Sequence, residues 1–161
     1  MLRRLINFAE SSAVFDARSS IAQIYRPVIR GYFGVAAIYY IVMTLTHFQE
    51  FSDLLSMTTA SVTASLFTLF AWHALRKPLP IGKLEALTSI TNMLIIINVM
   101  VALQLEYAEP KLIYFMMMAM IFAFACVSMR QALLSIAAAL GGLFYQLAQH
   151  ESGQLTIYGF I

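Results

Sequence analysis

The sequence predicts an all-α, polytopic transmembrane bundle with five full spans, the start of a sixth and a cytoplasmic N-terminus. Three observations predict it. First, 61% of the 161 residues are apolar and only 11% are charged, against roughly 45–50% and roughly 25% in soluble domains. Second, apolar runs of about 20 residues, enough to cross a hydrocarbon core, recur between short polar or proline-containing loops. Third, the basic residues fall on alternate loops. The mean hydropathy of +0.78 agrees. The same composition excludes a soluble globular domain, a disordered chain and a collagen-like repeat, and a single Cys excludes an internal disulfide framework. A net charge of +2 is too small to argue for a nucleic-acid partner.

Residues 1–27 are the one sizeable polar segment, expected as a cytoplasmic amphipathic stretch. Leu2, Leu5, Ile6 and Phe8 alternate with Arg3, Arg4 and Asn7, which suits a short helix on the membrane surface. Serine pairs at 11–12 and 19–20 are expected to break it, and Pro27 to stand at the start of the next helix. No uninterrupted apolar stretch suggests a cleavable signal peptide. Residues 28–161 form the expected bundle. Its spans run from about Val28 to Phe48, Leu54 to Leu75, Leu84 to Leu105, Lys111 to Met129 and Gln131 to Gln149. Pro78 and Pro80 close the second, and Pro110 precedes the fourth. After His150 the chain turns apolar again over Gln154–Ile161. Eight residues of helix rise only about 12 Å, so this ending reads as the start of a truncated sixth span.

Charge sets the expected orientation, because Lys and Arg gather on the cytoplasmic side. Arg3, Arg4, Arg18, Arg26 and Arg30 precede or open the first span. Arg76, Lys77 and Lys83 lie between the second and third, and Arg130 between the fourth and fifth. Only Lys111 of the ten basic residues falls on the other side, with Glu50, Asp53, Glu106, Glu109 and Glu151.

Few residues can carry chemistry. Nucleotide-binding glycine loops, zinc-protease and CxxC motifs and the GxSxG elbow are absent. Ionisable groups at mid-span, the usual mark of an intramembrane active site, are nearly absent too. No catalytic residue, metal or cofactor is therefore expected. Two His and several carboxylates collect on the outer side (His47, Glu50, Asp53, Glu106, Glu109, His150, Glu151), without metal-ligand spacing.

Uncharged polar groups do occur at depth. Thr88, Thr91 and Asn98 recur in the third span at helical spacing with Ile95 and Ala102, and Asn92 lies beside them. These four polar residues are the candidate ligand-binding set. Interhelical packing is the alternative, since polar and small residues face neighbouring helices in membrane bundles. In the second span Ser61, Ser65 and Thr68 share a face, and their hydroxyls can bond back to their own helix. Ser135 with Ala139, and Ala138 with Gly142, give small-xxx-small spacing suited to close helix approach. The run Phe115–Met120 is methionine-rich, suited to packing or to an adaptable apolar pocket. Cys126 is read as a small apolar residue.

Several strings resemble the N-terminal membrane regions of alphaproteobacterial GGDEF/EAL-type proteins. These are SSAVFDARSS at 11–20, RPVIRGYFGVAAIYY at 26–40, MTLTHF at 43–48, MTTASVTAS at 57–65, NVMVALQLEYAEPKLIYF at 98–115 and RQALLSIAAAL at 130–140. In that family a six-span sensor module precedes a cytoplasmic diguanylate cyclase domain, often followed by a phosphodiesterase domain. The resemblance implies a sensory input domain for cyclic di-GMP signalling in a bacterial inner membrane, working as a homodimer, with an apolar small molecule as one possible stimulus. It carries over no catalytic residue, because neither a GGDEF nor an EAL string is present. A self-contained small carrier or channel-like protein, or a passive membrane anchor, is the alternative.

Overall fold

A computed structural model describes residues 2–47, 55–105 and 107–149. They form five α-helices: α1 (Leu2–His47), α2 (Leu55–Ala74), α3 (Ile81–Leu105), α4 (Ile113–Ala125) and α5 (Met129–Gln149). A 3₁₀ turn, Glu109–Leu112, leads into α4. No strand occurs among the described residues.

The first helix departs from expectation. α1 is continuous over 46 residues, through both serine pairs and with Pro27 in its interior. An interior proline removes one helical hydrogen bond and crowds the preceding turn. Here packing on both sides of it keeps the helix intact. Ala22 before it, and Ile29 and Phe33 after it, are buried in one cluster with Ala71, Leu75 and Leu84. Arg26, immediately before the proline, reaches across to α2. Its Nε donates to the Leu75 carbonyl at 2.8 Å and its Nη2 to the Arg76 carbonyl, which satisfies the carboxyl end of α2.

The remaining boundaries follow local chemistry. Beyond α2 the chain turns through Leu75–Lys77 to Pro78 and Pro80, and the Pro80 carbonyl accepts from the Lys83 and Leu84 amides as α3 begins. α4 ends earlier than the expected fourth span because Cys126 is extended, with φ −82° and ψ 142°. Ser128 and Gln131 account for the break. The Gln131 amide donates to Ser128 Oγ at 3.3 Å, while Gln131 Oε1 accepts from the Val127 amide at 3.0 Å. This is close to a capping box, in which a Ser and a Gln three residues on satisfy free amides at a helix start.

α3 is the centre of the bundle and packs on all four other helices. On one side it meets α4 and α5 through Ile96, Leu103, Phe115, Phe122 and Ala139. On the other, Leu84 joins the cluster of α1 and α2. The small residues of α5 serve an internal contact. Ser135 and Ala139 are buried, and a Cβ at Gly142 would stand 2.7 Å from Phe115 Cε1 and 3.3 Å from Met100 Sδ.

Polarity runs opposite to that of a soluble domain. Ile38, Phe70, Phe124 and Phe144 are about two-thirds exposed or more, whereas Thr88, Thr91, Asn92 and Gln146 are fully buried. Among the described residues, three helices are long and apolar enough to cross a membrane: Ser20–Leu45 within α1, α3 and α5. With the apolar outer surface, they mark the chain as a membrane protein. The sequence predicts five full spans, and over the described residues α2 and α4 do not meet the same standard. The 13 residues of α4 rise only about 20 Å. The expected start of a sixth span lies outside the described residues.

Candidate functional site

The polar residues of α3 point into the bundle, as their spacing predicts, but they serve different neighbours. Asn92 is the node. Its Oδ1 accepts from the Tyr32 hydroxyl of α1 at 2.7 Å. Its Nδ2 donates to Ser135 Oγ of α5 at 3.0 Å and lies 3.5 Å from Cys126 Sγ, in the link between α4 and α5. The Cys126 thiol in turn faces Ser135 Oγ at 3.9 Å. One carboxamide thus joins α1, α3, α5 and the end of α4. Carboxamides suit this task, since one face accepts while the other donates twice.

One helical turn earlier, Thr88 bonds back to the Leu84 carbonyl at 2.8 Å and accepts from Gln131 Nε2. The same Gln131 nitrogen also lies within 3.0 Å of the Glu85 carbonyl and 3.1 Å of Ser89 Oγ. Gln131 therefore shapes the start of α5 with its oxygen and fastens that start to α3 with its nitrogen.

Asn98 turns toward α2 and donates to Ser61 Oγ at 3.2 Å. Thr88 and Asn92 are four residues apart and face α5 together. Asn98, six residues further on, has rotated away. Thr91 is fully buried, and its hydroxyl has no hydrogen-bond partner among the described residues. The shared hydroxyl face of α2 is present and bonds backward as expected: Ser65 to the Ser61 carbonyl at 2.8 Å, and Thr68 to the Ala64 carbonyl at 2.9 Å.

The sequence pointed to one side of this network and missed the other. Tyr32 sits in the apolar first span with no polar spacing to single it out. Gln131 reads as the polar start of a span. Cys126, read as a small apolar residue, is buried, and its sulfur also joins the network. Gln146 is fully buried, with Nε2 3.5 Å from the Met100 carbonyl and Oε1 without a partner among the described residues. Buried Gln and Tyr in otherwise apolar helices were the signal that was available. In the methionine run of α4, Phe115 and Met118 are buried while Met117 and Met120 face outward.

No known protein family, curated protein or solved structure matches this chain.

The site's chemistry is that of a neutral hydrogen-bonded joint. Its side chains (Tyr32, Thr88, Asn92, Cys126, Gln131, Ser135) carry no charge at neutral pH. No imidazole or carboxylate touches Cys126 or Ser135 among the described residues, so neither has an activating base beside it. Of the outer-side groups, Glu50, Asp53, Glu106, His150 and Glu151 lie outside the described residues, and among those described no His, Cys, Asp and Glu cluster has metal-binding geometry.

Proposed function

We propose that this chain is a membrane-embedded sensory input module for cyclic di-GMP signalling. It passes a stimulus, as a change in helix packing, to a cytoplasmic output domain of the GGDEF/EAL type. The observation that carries this reading is the Asn92 node. A single buried side chain bonds to α1, to α5 and to the end of α4, so a shift in any one strains the others. A joint made of a few neutral hydrogen bonds has two accessible states, bonded and broken, and a modest free energy separates them. The unpartnered Thr91 hydroxyl beside it supports a role for a small, largely apolar ligand with one polar group. In this reading all five helices cross a bacterial inner membrane and a homodimer brings two output domains together. Arg26, Arg30, Arg76, Lys83 and Arg130 mark the cytoplasmic end, which puts the N-terminus inside.

The test uses the native gene product in its own membrane. Asn92→Leu is expected to shift cellular cyclic di-GMP by about five-fold or more, the scale of a usual coupling energy, with insertion and protein level preserved. Unchanged cyclic di-GMP under every applied stimulus counts against the reading. An intact mass of 18.0 kDa for the native polypeptide removes it, since no output domain would be attached.

A further inference from the structure

Trp72 is the only tryptophan in the chain. It lies near the carboxyl end of α2, with guanidinium groups over its ring. Arg30 of α1 is 5.6 Å and Arg76 is 5.0 Å from the ring centroid. Both arginines are exposed, and among the described residues neither has a carboxylate partner. Arg26 is already committed to the Leu75 and Arg76 carbonyls, so it braces α1 against α2 at this point.

A groove of about 700 Å³ runs along α1 beside the tryptophan. Arg26, Arg30 and Trp72 line its polar part, and Gly31, Val35 and Ile38 line its apolar part. Glycine makes the furrow. A Cβ at Gly31 would meet nothing within 4 Å, whereas one at Gly34 would stand 3.3 Å from Trp72 Nε1, so the ring is seated on that glycine. From Arg26 to Ile38 the helix rises about 18 Å, a little more than half of a hydrocarbon core of roughly 30 Å.

The furrow is thus basic and aromatic at the end where Lys and Arg cluster, and apolar along the rest. Guanidinium groups recognise phosphate through paired N–H donors, and arginines at a membrane surface attract anionic headgroups. We infer that the groove holds one anionic phospholipid, its phosphate on Arg30 at the Trp72 end, where Arg76 adds positive charge, and one acyl chain over Gly31, Val35 and Ile38. A free phosphate has no use for the apolar part, which is why a lipid is the occupant. The inference needs only that the chain sits in a membrane, and it stands or falls separately from the signalling reading.

The lone tryptophan reports on the site. The full chain is placed in phosphatidylcholine vesicles containing either phosphatidylglycerol or further phosphatidylcholine with brominated acyl chains, at equal mole fraction. Bromine quenches tryptophan on contact. The brominated phosphatidylglycerol is expected to associate about five-fold or more tightly, the scale of one surface arginine. Arg30→Gln with Arg76→Gln should abolish the preference, while Arg130→Gln leaves it intact. Gly31→Leu fills the furrow without a clash and should weaken quenching by both lipids. Equal quenching by the two lipids in the unsubstituted chain overturns the inference, as does a preference that survives loss of both arginines. Displacement of the brominated lipid by inorganic phosphate would assign a free-phosphate site instead. If the double arginine variant fails to insert, Gly31→Leu decides alone, and full quenching in it overturns the proposal.

Discussion

The hydroxyl of Tyr32 donates to Oδ1 of Asn92 at 2.7 Å, across 60 positions of sequence. That bond orients the Asn92 amide, leaving Nδ2 for Ser135 and Cys126. Both residues are therefore expected to act as one unit in stability. Asn92→Leu strands two buried partners and should cost about 1–3 kcal/mol. Tyr32→Phe should cost about 0.6–2 kcal/mol, the range for hydrogen bonds within membrane bundles. The double substitution should cost less than the two together, read by unfolding in mixed detergent micelles. Additivity to within about 0.5 kcal/mol would show no coupling.

Adjacent glycines in α5 should behave in opposite ways. A Cβ at Gly142 meets Phe115 Cε1 at 2.7 Å, while one at Gly141 meets nothing within 4 Å. Gly142→Ala is expected to destabilise by about 1–3 kcal/mol through overpacking, with partial rescue by Phe115→Leu. Gly141→Ala should be neutral or stabilise by up to about 1 kcal/mol, from helix propensity. Equal effects at the two positions would contradict the close contact of α5 with α4.

Arg26→Lys keeps the charge but loses the planar fork that spans two carbonyls. The expected loss is about 1 kcal/mol, smaller than for a buried charged hydrogen bond because Arg26 is partly exposed. The local readout is amide exchange at Leu75, Arg76 and Lys77, whose hydrogen bonds close α2. Unchanged exchange there would separate Arg26 from the helix end.

Cys126 is the only cysteine and is buried. A membrane-permeant maleimide should label the folded chain slowly, judged by intact mass. Labelling should accelerate about ten-fold or more in Asn92→Leu if loosening of the node exceeds about 1.4 kcal/mol. Cys126→Ser should fold normally, since a hydroxyl can take the same two partners. Fast labelling of the unsubstituted chain would place the thiol outside the network.

Thr91 offers a gain of stability. Among the described residues its buried hydroxyl has no hydrogen-bond partner, a state that costs about 1–3 kcal/mol in a folded interior. Thr91→Val keeps the shape and should stabilise the bundle by about 1 kcal/mol in thermal unfolding. Clear destabilisation would reveal a partner for that hydroxyl in the membrane.

How much was readable in the sequence differs between the two sides of the site. Thr88, Thr91, Asn92 and Asn98 stand out because polar groups are costly among apolar neighbours and recur at helical spacing. Tyr32 and Gln131 do not stand out, because an aromatic residue and a polar residue near a helix end are common in any membrane segment. Which acceptor meets which donor depends on the relative rotation of two helices, and composition carries no record of it. Pro27 makes the same point. Its chemistry favours a helix start, and only the contacts of Ala22, Ile29 and Arg26 with the neighbouring helices show why α1 continues through it.

The sequence by itself determined that this is an all-helical membrane protein with short connections and a polar seam on its third helix. Those features rest on local quantities: hydropathy over a window, helical periodicity, and the backbone preferences of proline. Tertiary structure decided the rest. It placed α3 at the centre, ended α4 at Cys126, turned Asn98 to α2 and Asn92 to Tyr32 and Ser135, and brought two arginines to the ring of Trp72, which sits against Gly34. Each of these depends on side chains far apart in the chain meeting within a few ångströms, and such meetings are set by how the helices pack.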